Sequence, residues 1–182
     1  SAMAGLPQGS PVVFMPNHQS QLDILTMYLA FPEHQIAYVA KKSLFRIPVF
    51  GRALGVAGGV PIDRANSRSA MQSIDRAVDN ANKGWSMVVF PEGTRSQDFS
   101  QLADFKIGGV ILALKCGLPI VPVVIKGAGP LWPRGTMFMQ PGQRVIRVKA
   151  LAPIDTSAYT LKEREHLKNE LYQRMNSAYL EM

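Results

Sequence analysis

The segment FKIGGVILALKCGLPIVPVVI, running from Phe105 to Ile125, decides the fold class. Its first part, Phe105–Cys116, is apolar over a helical length and ends at Gly117, a residue that readily adopts the left-handed conformation closing a helix. Its second part, Ile120–Ile125, is apolar at every position, as a strand is when helices cover both faces of its sheet. A helix feeding directly into such a strand is the unit of an α/β domain. Working outward, further strands are expected at Pro11–Met15, Ile36–Ala40, Gly59–Ile62, Met87–Phe90 and Val145–Ala150. A helix over Ser67–Asn82 places Met71, Ile74, Val78 and Ala81 on one stripe and stops at Gly84. Thr160 and Glu163 form a capping box that opens a last helix, where Leu167, Leu171, Met175 and Ala178 repeat beneath a charged outer face that reads as structural cover. The expectation is an α/β fold with a largely buried mixed sheet covered by helices, in one domain spanning 1–182.

The 182 residues suffice for one core and are too few for two independent ones. With 47% hydrophobic and 18% charged residues the composition is that of a packed protein rather than a disordered or fibrous chain. The formal net charge is +7, which points to an anionic partner. Between Glu33 and Asp75 six cations (Lys41, Lys42, Arg46, Arg52, Arg64, Arg68) face one anion, Asp63, so five of the seven net charges fall in that window. Basic residues concentrated among apolar ones fit a phosphate pocket or a membrane-facing surface better than a nucleic-acid arm. Leu44, Phe45, Ile47, Val49 and Phe50 interleave with Lys42, Arg46 and Arg52 in a pattern suited to anionic lipid, beside the plain alternative that they pack on the sheet. The single cysteine, Cys116, leaves no internal disulfide and no cysteine-based zinc site, reads as core filler and suits a reducing compartment. No stretch reaches the ~20 apolar residues of a membrane span. Ser1-Ala2-Met3 reads as a cloning remnant, and a membrane-anchoring segment is expected ahead of it in the natural protein.

The chemistry is carried by three polar stretches placed after strands. Asn17-His18-Gln19-Ser20-Gln21-Leu22-Asp23 follows the first strand. On a regular helix His18 and Asp23 would stand about 140° apart and could not pair. They can pair if a helix begins between them, with Ser20 as a cap, His18 in the loop and Asp23 in the first turn. Asp23 could then accept the Nδ1 proton of His18 and leave Nε2 free to take a proton from a hydroxyl. Ser20-Gln21-Leu22-Asp23 also matches a capping box, in which Asp23 only satisfies helix amides, and both readings stand at this level. Phe90-Pro91-Glu92-Gly93-Thr94-Arg95-Ser96 follows the fourth strand, with a glycine for a sharp turn and a guanidinium suited to phosphate. Gly58-Gly59-Val60-Pro61-Ile62-Asp63-Arg64 and Lys41-Lys42 follow two other strands and could bring cations to the same sheet edge.

Together these stretches resemble the glycerolipid acyltransferases, specifically the 1-acylglycerol-3-phosphate (lysophosphatidic acid) acyltransferases. His18 through Asp23 resembles the family's His-x4-Asp motif, Gly59–Arg64 its second, Phe90–Ser96 its Glu-Gly-Thr-Arg third, and Ile120-Val121-Pro122-Val123 its fourth. The resemblance implies a glycerol-3-phosphate acyltransferase-like fold and transfer of a fatty acyl group from acyl-CoA or acyl carrier protein to the free hydroxyl of 1-acylglycerol 3-phosphate, giving phosphatidic acid. It implies His18 as general base oriented by Asp23, with direct attack on the thioester and no acyl-enzyme. It implies Lys41, Arg64 and Arg95 as holders of the acceptor's phosphate, with Lys41 favoured over Lys42, and Glu92, Gly93 and Thr94 as shapers of that pocket. Ile120–Val123 would line the acyl-chain side, beside its reading as a buried core strand. Backbone amides near the first or third motif are candidates for the oxyanion donor. No metal or prosthetic group is implied, since the acyl thioester is itself the cosubstrate. The expected partners are a lysophospholipid, the acyl donor and an anionic membrane surface, with the protein membrane-associated on the cytoplasmic face.

Other classes fit less well. A serine hydrolase would need a Gly-x-Ser-x-Gly elbow, which is absent, and Ser20 stands only two residues from His18. A nucleotide site finds no phosphate-binding loop, and Gly127-Ala128-Gly129 lacks the third glycine of a dinucleotide fingerprint. A non-catalytic phospholipid-binding module and an acyltransferase acting on another lyso-lipid or on glycerol 3-phosphate remain alternatives.

Overall fold

The computed structural model describes residues 9–63, 67–142 and 145–182. Six strands, β1 (Val13–Pro16), β2 (Ile36–Lys41), β3 (Val60–Ile62), β4 (Ser86–Val88), β5 (Ile120–Lys126) and β6 (Arg147–Ala150), form one sheet in the order β3-β2-β4-β1-β5-β6. The first five are parallel and β6 pairs antiparallel with β5, so the sheet is mixed, as expected. Every residue of β1 is buried, and so is β5 from Ile120 to Ile125.

Successive side chains on a strand point to opposite faces, and the sheet sorts its core accordingly. Val13, Met15, Val39 and Met87 pack on one face with Ala77 of α3 (Ser67–Asn82), Val110 and Ala113 of α4 (Gly108–Cys116) and Leu167 and Met175 of α6 (Arg164–Glu181). Val12, Phe14, Tyr38 and Val123 pack on the other with Leu22, Met27 and Phe31 at α1 (Leu22–Ala30) and Ala128 of α5 (Ala128–Leu131). The connection from β1 through α1 passes over β4 to reach β2, and the connection from β4 through α4 passes over β1 to reach β5. The two therefore leave the adjacent carboxyl ends of β1 and β4 toward opposite faces. Such a switch point opens a crevice at the strand ends, where ligands bind in open α/β sheets.

Most expected elements appear. α3 has the expected bounds, and the Thr160/Glu163 capping box is formed, opening a 3-10 turn that leads into α6. Among the departures, β4 covers Ser86–Val88 rather than Met87–Phe90 and α5 has no counterpart in the sequence reading. α4 begins at Gly108 rather than Phe105 because the Lys106 amide donates to the Pro91 carbonyl at 2.7 Å, which ties that residue to the loop after β4. β6 begins at Arg147 rather than Val145. The sequence reading had no helix at α2 (Phe50–Val56), which follows a 3-10 turn over Lys42–Arg46 and is only seven residues long. A Cβ on Gly51 would lie 2.2 Å from the Phe45 carbonyl oxygen, so α2 can fold back on that turn only with glycine there. Pro122 sits inside β5 without harm: Val123 pairs with Ala150 and Ile120 with Ile154, so Pro122 falls where β6 leaves the ladder. Cys116 packs at the edge of the core, and burial pushes its thiol up to about 11, in keeping with filler rather than reactivity.

Candidate active site

The loop leaving β1 is fastened residue by residue. Asn17 bridges to β5 with both ends of its amide, Nδ2 donating to the Ile125 carbonyl at 2.9 Å and Oδ1 accepting from the Ile125 amide at 2.7 Å. The His18 amide donates to Glu92 Oε1 at 2.9 Å, and the His18 carbonyl accepts from the Ser96 amide at 2.8 Å. Ser20 Oγ accepts from the Leu22 amide at 3.3 Å and donates to the Trp132 carbonyl at 2.9 Å.

Asp23 stands in the first turn of α1 and is fully buried. Its Oδ2 accepts from His18 Nδ1 at 2.8 Å, from the Gln19 amide at 2.7 Å and from the Ser20 amide at 2.8 Å. The pairing is formed and the capping box is not: α1 is capped at Gln21 without a side-chain bond, and the Ser20 hydroxyl accepts from Leu22 rather than from Asp23. Asp23 reaches back to the amides ahead of its helix and holds the imidazole with the same oxygen. A carboxylate only accepts, so Nδ1 carries the proton and Nε2 is left with its lone pair. The ring stacks on Phe90, centroids 3.8 Å apart and planes 17° apart, so two of its degrees of freedom are set by one hydrogen bond and one flat contact. The His18 side chain remains 16% exposed and lines a cleft.

That cleft has a volume of about 380 Å³. It runs between α1, β2 and α2, walled by Ile24, Tyr28, Val39, Leu44, Phe50 and Leu54, and it reaches Lys41, Thr94 and Arg95 beside His18. A second recess of about 530 Å³ is basic: Lys41, Lys42 and Arg46 line it with Ser43, Ile62 and Asp63. Lys41, Gly93 and Thr94 line both, so the two spaces meet at the turn after β4. Gly93 has φ 77°, a backbone conformation that side chains other than glycine rarely adopt, and it turns the chain at that junction. A third cleft, about 540 Å³, lies on the far face between α3, α4 and the same turn.

Lys41, Gly93, Thr94 and Arg95 therefore stand with His18 at one sheet edge. Arg64 lies outside the described residues. Glu92 lines neither the first cleft nor the basic recess; it is 3% exposed and supports the His18 peptide from below. Burial chiefly, joined by the negative charge of Asp23, pushes its carboxyl up to about 7 against the pull of the His18 and Ala103 amides. Ile120–Val123 is a core strand with Ile120, Val121 and Val123 at 0% exposure, and none of the four lines these clefts. The apolar wall beside His18 comes from α1 and α2 instead. The amides of His18, Gln19 and Ser20 are all bonded to carboxylates, so these three are not free to serve as oxyanion donors.

The sequence reading missed Phe90 as the ring's stacking partner and Arg134, whose Nη1 donates to Thr94 Oγ1 at 3.2 Å. Phe90 ends an apolar strand and opens the third motif with nothing local to mark it as a ring partner, and Arg134 lies in a segment with no pattern around it. Among the described residues no group of three or more His, Cys, Asp or Glu could hold a metal ion.

The profile of the Acyltransferase family matches residues 3–126. The chain is 39% identical over 127 residues to the chloroplastic 1-acyl-sn-glycerol-3-phosphate acyltransferase BAT2 of Brassica napus, covering 70% of this chain and 36% of that protein. It is 38% identical over 150 residues to the 1-acyl-sn-glycerol-3-phosphate acyltransferase of Limnanthes douglasii, covering 82% of this chain and 52% of that one. Its fold matches the crystal structure of the 1-acyl-sn-glycerophosphate (LPA) acyltransferase PlsC from Thermotoga maritima with a TM-score of 0.80 and 28% identity, over 100% of this chain and 70% of that one. The chain thus spans between about a third and about half of the length of these two plant relatives.

Proposed function

The chain belongs to the acyltransferase family, and from that premise we propose that it moves a fatty acyl group from a thioester donor to the free hydroxyl of 1-acylglycerol 3-phosphate, giving phosphatidic acid. One observation carries the reading: a histidine oriented by a buried carboxylate lines an apolar cleft that shares Lys41, Gly93 and Thr94 with a basic recess. An acyl chain suits the first space and a phosphate the second, and both must converge on one base for this reaction.

His18 Nε2 takes the proton of the acceptor hydroxyl as its oxygen attacks the thioester carbonyl. Asp23 Oδ2 holds the Nδ1 proton and stabilises the imidazolium that forms. The carbon–sulfur bond then breaks and His18 returns the proton to the departing sulfur. A thiol pKa of about 8.5 makes that departure easy, so no covalent enzyme intermediate is needed. Lys41 and Arg95, with the Lys42 and Arg46 side of the recess, meet the phosphate. With the His18, Gln19 and Ser20 amides engaged, the oxyanion falls to the remaining amides near the first motif or to groups of the third. The donor is acyl-CoA or acyl carrier protein, and no cofactor enters.

Exposed apolar side chains on α1 and around α2, the helices that wall the apolar cleft, support contact with an anionic bilayer. Leu25 and Leu29 of α1 are 60% and 82% exposed, and Ile47, Phe50 and Val56 are exposed beside Lys42, Arg46 and Arg52. Val49 is 80% exposed and has φ 65°, an uncommon conformation for a β-branched residue that no burial of its side chain offsets. With this contact goes the proposal that the protein sits at a membrane, on its cytoplasmic face. Among the described residues no helix is long and apolar enough to cross a membrane.

The reading is tested with purified protein, lysophosphatidic acid and a long-chain acyl thioester, following thiol release and phosphatidic acid. Turnover is expected, with His18→Ala losing roughly 10²–10⁴-fold or more. Undiminished turnover in that variant would overturn His18 as the base. A parallel screen with glycerol 3-phosphate and other lyso-lipids identifies the acceptor.

A further inference from the structure

The loop carrying His18 is also held from the C-terminal helix, beyond the residues that match the family profile. Gln19 is 1% exposed, and its Nε2 donates to the Tyr179 hydroxyl at 2.7 Å. That hydroxyl in turn donates to the Phe99 carbonyl at 2.7 Å. Tyr179 is itself 1% exposed, and Lys126 fixes its place in α6: the ammonium donates to the Tyr179 carbonyl at 3.0 Å and stands 4.8 Å from the ring centroid.

Gln19 is the peptide neighbour of His18, and its backbone amide donates to the same Asp23 oxygen that holds the imidazole. Its side-chain Oε1 is buried without a partner among the described residues, so the bond to Tyr179 is the one polar contact that orients the amide. Leaving half of a buried amide unmet is costly, and the remaining hydrogen bond then decides where the group sits. Through Phe99 the hydroxyl also reaches the chain just after the third motif. One phenol thereby joins the segment that follows the phosphate side to the loop that carries the base.

We infer that Tyr179 is a positioning residue for acyl transfer, its hydroxyl setting Gln19 and, through the Gln19 amide, the register of His18 on Asp23. The inference rests on His18 being the base in the proposed reaction. It gives α6 a role beyond covering the sheet.

Tyr179→Phe keeps the ring and removes both hydrogen bonds. Its kcat should fall by about 10–10²-fold, as displacement of a catalytic group by an ångström or less does, with KM for donor and acceptor held within about twofold. The low-field proton resonance of the His18 Nδ1–H bonded to Asp23 should broaden or disappear at the same pH. Tyr172→Phe is the matched control: its hydroxyl donates from the same helix to the Leu102 carbonyl at 3.3 Å without touching Gln19, so kcat and the resonance should stay as in the wild type. Gln19→Met should reproduce Tyr179→Phe, and the double variant should be no worse than the worse single. Should Tyr179→Phe fail to fold, Gln19→Met carries the same two measurements. Full kcat with an unaltered resonance, equal losses in Tyr179→Phe and Tyr172→Phe, or additive losses in the double variant would overturn the inference. Absence of turnover in the wild type would count against the acyl-transfer reading alone, and the His18 resonance would still decide whether Tyr179 sets the dyad.

Discussion

The backbone amide of His18 donates to Glu92 Oε1 at 2.9 Å, so a carboxylate of the third motif holds the peptide of the histidine in the first. The two residues are 74 positions apart and become neighbours because β1 and β4 lie side by side in the sheet. Glu92 is thus a support for the loop that carries His18, and its burial has a consequence for stability.

In the fold the Glu92 carboxyl is raised to about 7 from an ordinary 4.5, chiefly by desolvation. A group whose folded value is raised contributes stability that is full below pH 4.5 and is lost as pH rises through 7. Over that interval the loss amounts to roughly 3 kcal/mol. Glu92→Gln keeps an acceptor for the His18 amide and cannot ionise. The difference in Tm between Glu92→Gln and wild type should therefore grow in the variant's favour from pH 5 to pH 8.5. His34, lowered by burial, acts in the opposite sense below neutrality, but it is present in both proteins and cancels in the difference. A pH-independent difference would remove Glu92 as the titrating group.

Asp23→Asn retains the shape of the side chain and loses the charge that three donors share. We expect kcat to fall by about 10²–10⁴-fold with little change in KM, since the imidazole loses its fixed tautomer while the substrate clefts are untouched. Steady-state kinetics checks this; a variant that keeps kcat and raises KM would make Asp23 a helix cap only.

The cations separate by position. Arg95→Ala should raise KM for the phosphorylated acceptor by about 10–10²-fold, the weight of one charge-assisted hydrogen bond. Lys41→Ala should do more than Lys42→Ala, because Lys41 lines both the cleft at His18 and the basic recess whereas Lys42 lines only the recess. Acceptor titrations at saturating donor measure all three.

Ala57 and Leu54 lie on the α2 wall of the apolar cleft. Ala57→Phe should narrow it and lower kcat/KM for long-chain thioesters by roughly tenfold while sparing short ones, the scale of a few methylenes excluded from a pocket. A donor series of increasing chain length reads the result. Uniform loss at all lengths would place the chain elsewhere, the far-face cleft being the next space to probe.

Membrane contact through α1 and the surroundings of α2 predicts that Val49→Asp weakens sedimentation with anionic vesicles and leaves turnover of a water-soluble short-chain substrate unchanged. High salt should weaken the binding of the wild type, since Lys42, Arg46 and Arg52 contribute through charge. Binding indifferent to salt, to lipid charge and to this substitution would remove the surface from contact.

Much of this architecture is legible along the chain. The uniformly apolar run Ile120–Ile125, the stripe of α3 and the Thr160/Glu163 box are local patterns, and local patterns survive folding because they are set by burial and by hydrogen bonds a few residues long. The His18–Asp23 pair is legible for the same reason: one helix start between them decides whether they meet. What lies between the motifs was harder to read. α2 is short, holds two glycines and presents no periodicity, so the wall it gives the cleft came as a finding. Ile120–Val123 shares its pattern with any buried strand, and only its place in the centre of the sheet shows that it faces core and not the cleft.

By itself, then, the sequence determined the fold class, most of the strands and helices in chain order and the polar stretches that follow the strands, because each depends on composition and spacing within a few turns of chain. The tertiary structure alone decided that Glu92 turns inward beneath His18, that Phe90 stacks on the ring, that the apolar cleft is built by α1 and α2, and that Tyr179 reaches Gln19 from the far end of the chain. The contacts of Glu92, Phe90 and Tyr179 span 70 to 160 residues. No local rule encodes them, since the sheet order that places β1 beside β4, and α6 on the face behind them, is settled only when the core closes.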